Sequence, residues 1–436
     1  MQINIIGGGL AGCEASYQVA KRGIKVNLYD MKPKKLSPAH HSTKLCELVC
    51  SNSLKAARLE SAAGMLKQEM RMLDSLLMRC ADKTTVPAGG ALAVDRELFS
   101  YMVNEEILNN PLITVINEEV KDIPEGVTII ASGPLTSEPL SDTIKSMFGD
   151  SLSFYDAAAP IVRFDSIDMN KAFFASRYGK GDGDDYINCP MNKEEYESFY
   201  DALVSAERAA VHDFDVMNPK VYEGCMPIEV MAQRGHDTIR FGPMKPVGLT
   251  DPATGHRPWA VVQLRKENSA GVMYNLVGFQ TNLKFPEQKR VFSMIPGLEN
   301  AEFERYGVMH RNTFINSPKV LSSDYSVKEN KNLFFAGQIT GVEGYMESAS
   351  SGLIAGINAS LRLMGKETVT LPAETMIGAL SRYISDETVT KFQPMGANLG
   401  VLPELLNRPR DKKERAKAYS DRAFSALENF INTRGL

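Results

Sequence analysis

The stretch QINIIGGGLAGCEASYQVAKRGIKVNLYD, residues 2–30, places a cluster of glycines between two apolar runs. Residues 2–6 form a short apolar run that leads directly into three glycines, and residues 10–22 are rich in alanine and other small residues. Residues 24–29 form the second apolar run. A strand, a helix and a second strand in this order predict a βαβ unit with parallel strands at the start of the chain.

The spacing Gly7-x-Gly9-x-x-Gly12 between the first strand and the helix favours a dinucleotide site. The first glycine permits a tight turn, the second lets the backbone approach a pyrophosphate, and the third allows close packing of helix and strand. The helix N-terminus adds N–H groups and a positive dipole for the phosphates. Asp30, which closes the second strand, can accept hydrogen bonds from ribose hydroxyls. The predicted cofactor-binding residues here are Gly7, Gly8, Gly9, Leu10, Ala11, Gly12 and Asp30.

A second glycine-rich turn, FFAGQITG at residues 334–341, helps to decide which dinucleotide binds. FAD enzymes of the glutathione-reductase type bring such a late strand-to-helix turn back under the flavin and ribityl chain, whereas a dehydrogenase that uses only NAD does not need it. The sequence has no second GxGxxG for a separate nicotinamide domain. We therefore predict FAD as the cofactor, with Gly337 and Gln338 contributing to its site.

Length and composition predict more than one globular domain. The 436 residues exceed a single ordinary core, and the 43% hydrophobic and 23% charged fractions are typical of globular proteins. We predict an α/β fold, in which a Rossmann-like FAD-binding domain of the glutathione-reductase type is formed by residues 1–155 and 306–436. Residues 156–305 are predicted to form an inserted α+β domain. The spacing of leucines and methionines further predicts one long amphipathic helix over residues 54–80.

The net charge of −4 does not favour nucleic-acid binding by the molecule as a whole, so any RNA contact requires a local basic surface. Residues 407–422 carry seven Lys/Arg against three Asp/Glu (7 − 3 = +4), which is typical either of a solvated helix face or of such a surface. No apolar run approaches the roughly 18 residues of a membrane span, and no secretory signal is recognisable. With only six sparse cysteines, we predict a cytoplasmic protein without membrane attachment.

Cys50 and Cys225 are candidate reactive thiols. Cys50 precedes Ser51-Asn52-Ser53, which are residue types that begin helices, and a thiol near a helix N-terminus has a lowered pKa. Cys225 lies in the loop sequence YEGCMPIE. On the residues alone, the interpretation of both as buried, unreactive cysteines remains the favoured one.

The remaining cysteines and the histidines predict neither a redox disulfide nor a metal site. If Cys46 and Cys50 lie in a helix, their Cβ atoms are about 5–6 Å apart, beyond the roughly 3.5–4.5 Å of a disulfide. His40 and His41 have no complementary ligand pair at a suitable spacing, so no metal is predicted. We interpret three further cysteines as packing residues: Cys13, Cys80 and Cys189.

Longer stretches of the sequence carry a resemblance to a known family. They include IIGGGLAGCEAS, ELVCSNSL, VPAGGALAVDR, MPIEVMAQRG, RFGPMKPVGL, GFQTNLKFPEQKRVF, RYGVMHRNT and GYMESASSGLIAGINA. Together they are far more specific than a flavoprotein glycine motif. Over essentially its whole length, the chain resembles the folate- and FAD-dependent tRNA (uracil-5-)-methyltransferases, the TrmFO family.

The resemblance implies an enzyme that moves the methylene carbon of 5,10-methylenetetrahydrofolate to C5 of a tRNA T-loop uridine, with NAD(P)H regenerating reduced FAD. Uracil C5 is a poor nucleophile until a thiolate adds at C6. The family's two functional cysteines fall on Cys50 and Cys225, and a functional tyrosine falls on Tyr345. The implied partners are tRNA, folate and NAD(P)H, and no protein partner is required.

Some interpretations stay open. Basic residues that could bind the glutamate tail of the folate are Arg265, Lys284, Lys289 and Arg290. Close relatives in some bacteria methylate ribosomal RNA instead, with the same motifs. A flavin-dependent thiol-disulfide oxidoreductase and a non-catalytic flavin- or RNA-binding partner of a modification complex are further alternatives.

Overall fold

A computed structural model describes residues 1–37, 39–149, 152–209 and 226–435. Its strands, in chain order, are β1 (Gln2–Ile6), β2 (Lys25–Tyr29), β3 (Ser53–Ala56), β4 (Thr85–Val86), β5 (Ala91–Val94), β6 (Ile113–Ile116), β7 (Thr128–Ile130), β8 (Leu152–Ala157), β9 (Ile161–Arg163), β10 (Phe173–Phe174), β11 (Tyr186–Met191), β12 (Ala260–Lys266), β13 (Met273–Leu276), β14 (Phe303–Arg305), β15 (Met309–Phe314) and β16 (Leu333–Phe335). Its α-helices are α1 (Leu10–Lys21), α2 (Ala62–Met72), α3 (Leu76–Lys83), α4 (Arg96–Leu108), α5 (Glu138–Phe148), α6 (Lys193–Ser205), α7 (Ile228–Gln233), α8 (Thr238–Phe241), α9 (Phe285–Phe292), α10 (Ser317–Val320), α11 (Tyr345–Leu363), α12 (Met376–Tyr383) and α13 (Lys412–Arg434).

The centre of the fold is a parallel sheet with the strand order β16-β7-β1-β2-β6. Each neighbouring pair in it is parallel, so the carboxyl ends of all its strands meet at one edge. Its apolar side chains are fully buried both on the inner strand β1, at Ile3 and Ile5, and on the edge strand β16, at Phe334 and Phe335. The predicted βαβ unit is confirmed as β1–α1–β2, and the late apolar run is confirmed as a strand of the same sheet.

The two ends of the chain are joined by close packing of α1 on α11. A Cβ atom at Gly352 would lie 2.1 Å from the carbonyl oxygen of Ala11, and one at Gly356 would lie 2.8 Å from that of Ala15. Only glycine permits this approach of the two helix backbones. The contact fixes the start of α11 beside the start of α1.

The other sheets are antiparallel. Three strands pair in the order β3-β5-β4, and six pair in the order β10-β11-β12-β13-β9-β14. A second buried apolar cluster covers one face of the six-stranded sheet and is formed by residues between 162 and 301, whereas the first is formed by residues between 3 and 144 and between 314 and 427. These clusters support the proposed division into residues 1–155 with 306–436 and residues 156–305, which remains a prediction.

The single helix predicted over residues 54–80 is wrong. The chain instead forms β3 and then two helices, α2 and α3, which begin at the N-caps Ser61 and Ser75. Asp74 adopts φ of +56°, which is incompatible with a continuous helix. Lys67 is buried and donates hydrogen bonds to the carbonyl oxygens of Leu54 (2.7 Å) and Ala56 (2.8 Å), so tertiary contacts stabilise the strand.

Candidate active site

A cavity of about 430 Å³ lies at the carboxyl edge of the parallel sheet and continues toward β3 and the start of α11. It brings together residues that are far apart in the sequence. The predicted site residues that line it are Gly7, Gly8, Gly9, Leu10, Ala11, Asp30, Cys50, Gly337, Gln338 and Tyr345. Gly12 is not part of the lining, and Cys225 lies outside the described residues.

The three glycines of the early turn have different surroundings. Gly7 has φ of +107°, and a Cβ atom there would lie 2.5 Å from the carbonyl oxygen of Ala131 on the end of β7. At Gly12, a Cβ atom would lie 1.8 Å from the carbonyl oxygen of Gly7, so this glycine serves packing. A Cβ atom at Gly9 would have no protein atom within 4 Å. Gly9 therefore faces open space that a ligand can enter.

The N-terminus of α1 opens into the cavity without a side-chain cap. Gly9 is the N-cap, and no acidic residue lies in the first turn. The N–H groups of the first turn have no partner within the helix, and the helix dipole adds positive character. Leu10 and Ala11 line the cavity, so this helix end suits a pyrophosphate.

Asp30 is nearly buried, with 9% of its surface exposed. One oxygen of its carboxylate accepts a hydrogen bond from the Gly8 N–H at 2.7 Å, and the other accepts from the Lys32 N–H at 2.8 Å. The carboxylate thus links the glycine turn to the end of β2, a contact that the sequence pattern did not predict. Since each carboxylate oxygen has two lone pairs, capacity to bind a ribose hydroxyl remains.

The late glycine turn reaches the same sheet edge because β16 is parallel to β7. Gly337 has φ of +86°, which favours glycine, and its N–H donates to the Ser351 hydroxyl at 2.6 Å. Gln338 donates its side-chain amide to Glu343, which also lines the cavity. The chain then enters α11 at Tyr345.

Cys50 does not lie at a helix N-terminus, so the prediction that Ser51-Asn52-Ser53 begins a helix is wrong. It precedes β3 and lines the cavity. The backbone N–H of Cys50 donates to the Tyr345 hydroxyl at 2.7 Å across 295 positions of the chain, and the Ser51 N–H donates to the same oxygen at 3.1 Å. The thiol is directed at the carbonyl oxygen of Ala157, 3.7 Å from its sulfur.

Tyr345 is held in a neutral state by its surroundings. Burial raises the pKa of the Tyr345 hydroxyl well above its ordinary value, and the nearby Cys50 thiol raises it further. A neutral phenol accepts the two backbone N–H groups while keeping its own proton. Tyr345 therefore fixes the backbone that carries Cys50.

The sequence suggests Arg265 as a ligand of the folate tail, but its hydrogen bonds in the structure go to the protein itself. Arg265 is buried in β12 and does not line the cavity. Its Nε donates to the Asn52 Oδ1 at 2.9 Å, and its Nη2 donates to the Ser51 hydroxyl at 2.8 Å. Arg265 therefore supports residues 50–52, which we call the Cys50 loop.

Three other basic residues predicted for the folate tail also lie outside the lining: Lys284, Lys289 and Arg290. Lys284 pairs with Glu207 at 2.6 Å, and Arg290 pairs with Glu287 at 2.6 Å, both on the exposed surface. Such exposed pairs contribute little to stability. The structure gives these residues no role at the cavity.

A buried ion pair behind the Cys50 loop was missed from the sequence. The Nη2 of Arg96 lies 3.0 Å from the Oε2 of Glu267, and both side chains are almost fully buried. Burial alone would lower the pKa of Arg96, but the charge of Glu267, together with Tyr345 and Cys50, raises it. Position 96 carries a permanent positive charge near the thiol, although no local pattern in the sequence distinguishes this arginine from a surface one.

The other described cysteines agree with a packing role. Three are buried free thiols, as predicted: Cys13, Cys80 and Cys189. Cys46 is also a buried free thiol, and burial raises its pKa well above the ordinary value. Its segment is not helical, contrary to the assumption behind the spacing argument, but no disulfide joins it to Cys50. Of the five cysteines that the structure describes, only Cys50 lines the cavity.

Comparisons with known proteins show the family to which the chain is similar. The family model described as Glucose inhibited division protein A matches residues 2–367. The chain is 62% identical over 432 residues to the methylenetetrahydrofolate--tRNA-(uracil-5-)-methyltransferase TrmFO of Acetivibrio thermocellus, covering 99% of this chain and 98% of that protein. It is 57% identical over 433 residues to the protein of the same name from Lysinibacillus sphaericus, again covering 99% and 98%.

A solved structure shares the fold. GidA of Aquifex aeolicus, in its form II crystal, superposes with a TM-score of 0.72 at 18% identity, covering 99% of this chain and 73% of that one. This likeness confirms the predicted Rossmann-like α/β fold. Among the described residues, none of the helices has the length and apolar character of a membrane span.

Proposed function

Since the chain belongs to the TrmFO family of methylenetetrahydrofolate–tRNA-(uracil-5-)-methyltransferases, we propose that its reaction takes place in the cavity described above. The protein is a folate- and FAD-dependent enzyme that methylates C5 of uracil in tRNA. The observation that carries the site assignment is the convergence of the early glycine turn, the late glycine turn and Cys50 on one cavity. We further propose a T-loop uridine as the target and NAD(P)H as the reductant, as the resemblance implies.

The residues around the cavity fit FAD. The open space beside Gly9 and the uncapped N-terminus of α1 suit the pyrophosphate, which the N–H groups of Leu10 and Ala11 would hold. Asp30 would accept from the ribose, and Gly337 with Gln338 would lie near the ribityl chain and flavin. Bound FAD supplies the redox chemistry that converts the transferred carbon to a methyl group.

The role of the reactive cysteine follows from the chemistry of uracil. A thiolate that adds to C6 pushes the electrons of the C5–C6 double bond toward the C4 carbonyl, so that C5 becomes a nucleophile. C5 then forms a bond to the methylene carbon as the bond between that carbon and the nitrogen that carries it breaks. The C5 proton leaves and the thiolate is eliminated from C6, which gives an exocyclic methylene. A hydride, which reduced FAD would supply, adds to this methylene and completes the methyl group. We propose Cys50 and Cys225 as the two thiols of this reaction. The position of Cys50 in the cavity supports its part.

Tyr345 and Arg265 are proposed to position Cys50. The Tyr345 hydroxyl accepts the Cys50 and Ser51 N–H groups, while Arg265 binds the side chains of Ser51 and Asn52. The Cys50 loop is thus held from two sides, by α11 and by β12. A reactive group held in this way loses little freedom in the reaction.

The free thiols also support the proposed location in the reducing cytoplasm.

The test is release of tritium from a tRNA transcript labelled at uracil C5, incubated with the protein, methylenetetrahydrofolate and NADPH. We expect release that depends on folate and is lost in a Cys50→Ala, Cys225→Ala double variant. A matched ribosomal RNA transcript serves as the comparison. No release from tRNA, together with release from ribosomal RNA, would reassign the substrate, and unchanged activity of the double variant would contradict the role of the thiols.

A further inference from the structure

A surface at the start of α13 carries cations that the reaction described above does not use. The exposed basic side chains are Arg408, Arg410, Lys412, Lys413 and Lys417. In the part of the chain that the structure describes, none of these five forms an ion pair. Although the whole molecule is negative, residues 407–422 have a charge of +4 (7 − 3). Their positive charge is therefore available to an external anion.

The segment is anchored to the protein at two points. The Arg422 guanidinium donates to the carbonyl oxygens of Pro403 (2.6 Å) and Glu404 (3.0 Å), so the chain before α13 is tied back onto the helix. The Ser420 hydroxyl donates to the carbonyl oxygen of Leu59 at 3.0 Å. Three of the five basic residues thus extend from a fixed helix, and the other two lie in the chain just before it.

The anchor at Leu59 connects this surface to the cavity. Arg58, next to Leu59, is exposed, and three residues earlier Lys55 lines the cavity. Lys413 and Lys417 precede Ser420 by seven and three residues, so they lie on the same side of α13 as the contact with Leu59. Lys413 and Lys417 therefore lie along the side of the helix that contacts Leu59, and the chain from Leu59 back to Lys55 leads to the cavity.

A second connection runs through Glu347 of α11. Its carboxylate binds Lys55 at 2.6 Å and accepts from the Ala397 N–H at 3.0 Å. Glu347 and Lys55 both line the cavity, and residue 397 begins the stretch that leads to α13. The stretch that leads to α13 thus begins beside residues of the cavity lining.

We propose that the surface formed by Arg58 and the five exposed cations, which we call the α13 basic surface, binds backbone phosphates of the RNA substrate. The inference rests on the proposed function, because the cavity to which the surface leads is where the uridine reacts. Phosphate contacts by lysine and arginine are independent of base sequence and position an RNA rather than select it. The α13 basic surface holds the RNA outside the cavity while one base enters it.

The experiment measures binding of the FAD-loaded full-length enzyme to a tRNA transcript over a range of salt concentrations. The test variant is Arg410→Gln, Lys413→Gln, Lys417→Gln, and its affinity is expected to fall roughly tenfold at about 0.1 M salt, with a salt slope shallower by about 2. At saturating RNA, tritium release from uracil C5 should equal that of the wild type. A Lys413→Arg, Lys417→Arg variant, which keeps the charge, should bind as the wild type does.

A matched control changes the same charge elsewhere: Lys25→Gln, Lys331→Gln, Lys366→Gln. Lys25 begins β2, Lys331 precedes β16, and Lys366 follows the far end of α11, so all three are exposed at the sheet edge opposite the cavity. This control should bind RNA as the wild type does.

Two results would overturn the proposal: equal affinity losses in the test and control variants, or an unchanged salt slope in the test variant. A change in self-association without a change in RNA affinity would assign the surface to a protein contact instead. A wild-type enzyme that neither binds nor methylates the transcript would overturn the proposed function itself.

Discussion

The glycine turn and the Cys50 loop line the same cavity but are built in different ways. The turn is formed by neighbours in sequence: Gly7, Gly9 and Gly12 lie within β1–α1, and Asp30 closes the next strand. The Cys50 loop is held by residues from distant segments, namely Tyr345, Ala157 and Arg265. The turn is therefore built mainly by residues near in sequence, whereas the loop is held by residues far from it in sequence.

Because of this difference, we expect substitutions in the two regions to have different effects. Substitutions in the glycine turn should affect FAD binding, and those at glycines that pack against the protein backbone, such as Gly12, should also lower stability. Substitutions around the Cys50 loop should affect the reaction while FAD stays bound. Each prediction below tests that separation.

The largest effect is expected for Cys50→Ser. Replacing the thiol should lower tritium release from uracil C5 at least about a thousandfold, as for loss of other catalytic nucleophiles. FAD content, measured by absorbance, should equal that of the wild type, because Cys50 is not part of the glycine turns. Loss of FAD in this variant would contradict the expectation that substitutions in the Cys50 loop leave FAD bound.

Gly12→Ala and Gly9→Ala form a matched pair within the turn. The new methyl at residue 12 would lie 1.8 Å from the Gly7 carbonyl oxygen, so we expect a loss of about 1–3 kcal/mol in the free energy of unfolding and loss of FAD. At residue 9 the methyl meets no protein atom, so stability should be retained while FAD affinity falls. Denaturant unfolding and FAD titration measure the two effects. Wild-type FAD affinity in Gly9→Ala would show that the ligand does not approach this glycine.

Tyr345→Phe removes one oxygen and leaves the Cys50 and Ser51 N–H groups without their acceptor. An unsatisfied buried N–H costs about 1–3 kcal/mol, so we expect kcat to fall roughly ten- to a hundredfold as the loop relaxes. The KM for methylenetetrahydrofolate should change little, and FAD should stay bound. A wild-type kcat would contradict the positioning role of the hydroxyl.

The smallest effect is expected for Arg265→Lys, which keeps the charge but loses the two-pronged contact with Ser51 and Asn52. We expect kcat to fall by a few-fold up to about tenfold, since lysine can keep one of the two hydrogen bonds and the loss of the other costs about 0.5–1.5 kcal/mol. The KM for a polyglutamylated folate should stay unchanged. If instead that KM rises and kcat does not fall, Arg265 acts on the folate tail, as the sequence had suggested.

The sequence was informative where structure is local. The apolar runs predicted β1, β2 and β16, and the glycine spacing predicted the turn, because backbone geometry in these places depends on adjacent residues. The helix predicted over residues 54–80 failed because Lys67 binds strand carbonyls and Asp74 turns the chain, contacts that apolar spacing does not encode.

The surroundings of Cys50 could not be derived from its neighbours in sequence. Ser51-Asn52-Ser53 was interpreted as a helix start, but these polar side chains serve the loop instead, where Arg265 binds Ser51 and Asn52. The resemblance to a family singled out Cys50 and Tyr345, although it did not reveal that one holds the backbone of the other. Cys225 lies outside the described residues, so its part in the reaction stays a prediction.

The most direct test of the central claim, that the cavity holds a flavin beside the Cys50 thiol, is alkylation of Cys50 before and after FAD is returned to FAD-free enzyme. The flavin absorbance reports uptake, and mass spectrometry of the peptide containing Cys50 reports its rate of reaction with iodoacetamide. We predict that FAD is taken up and that the bound cofactor slows the labelling of Cys50. Failure to take up FAD, or uptake that leaves the labelling rate unchanged, would contradict the account.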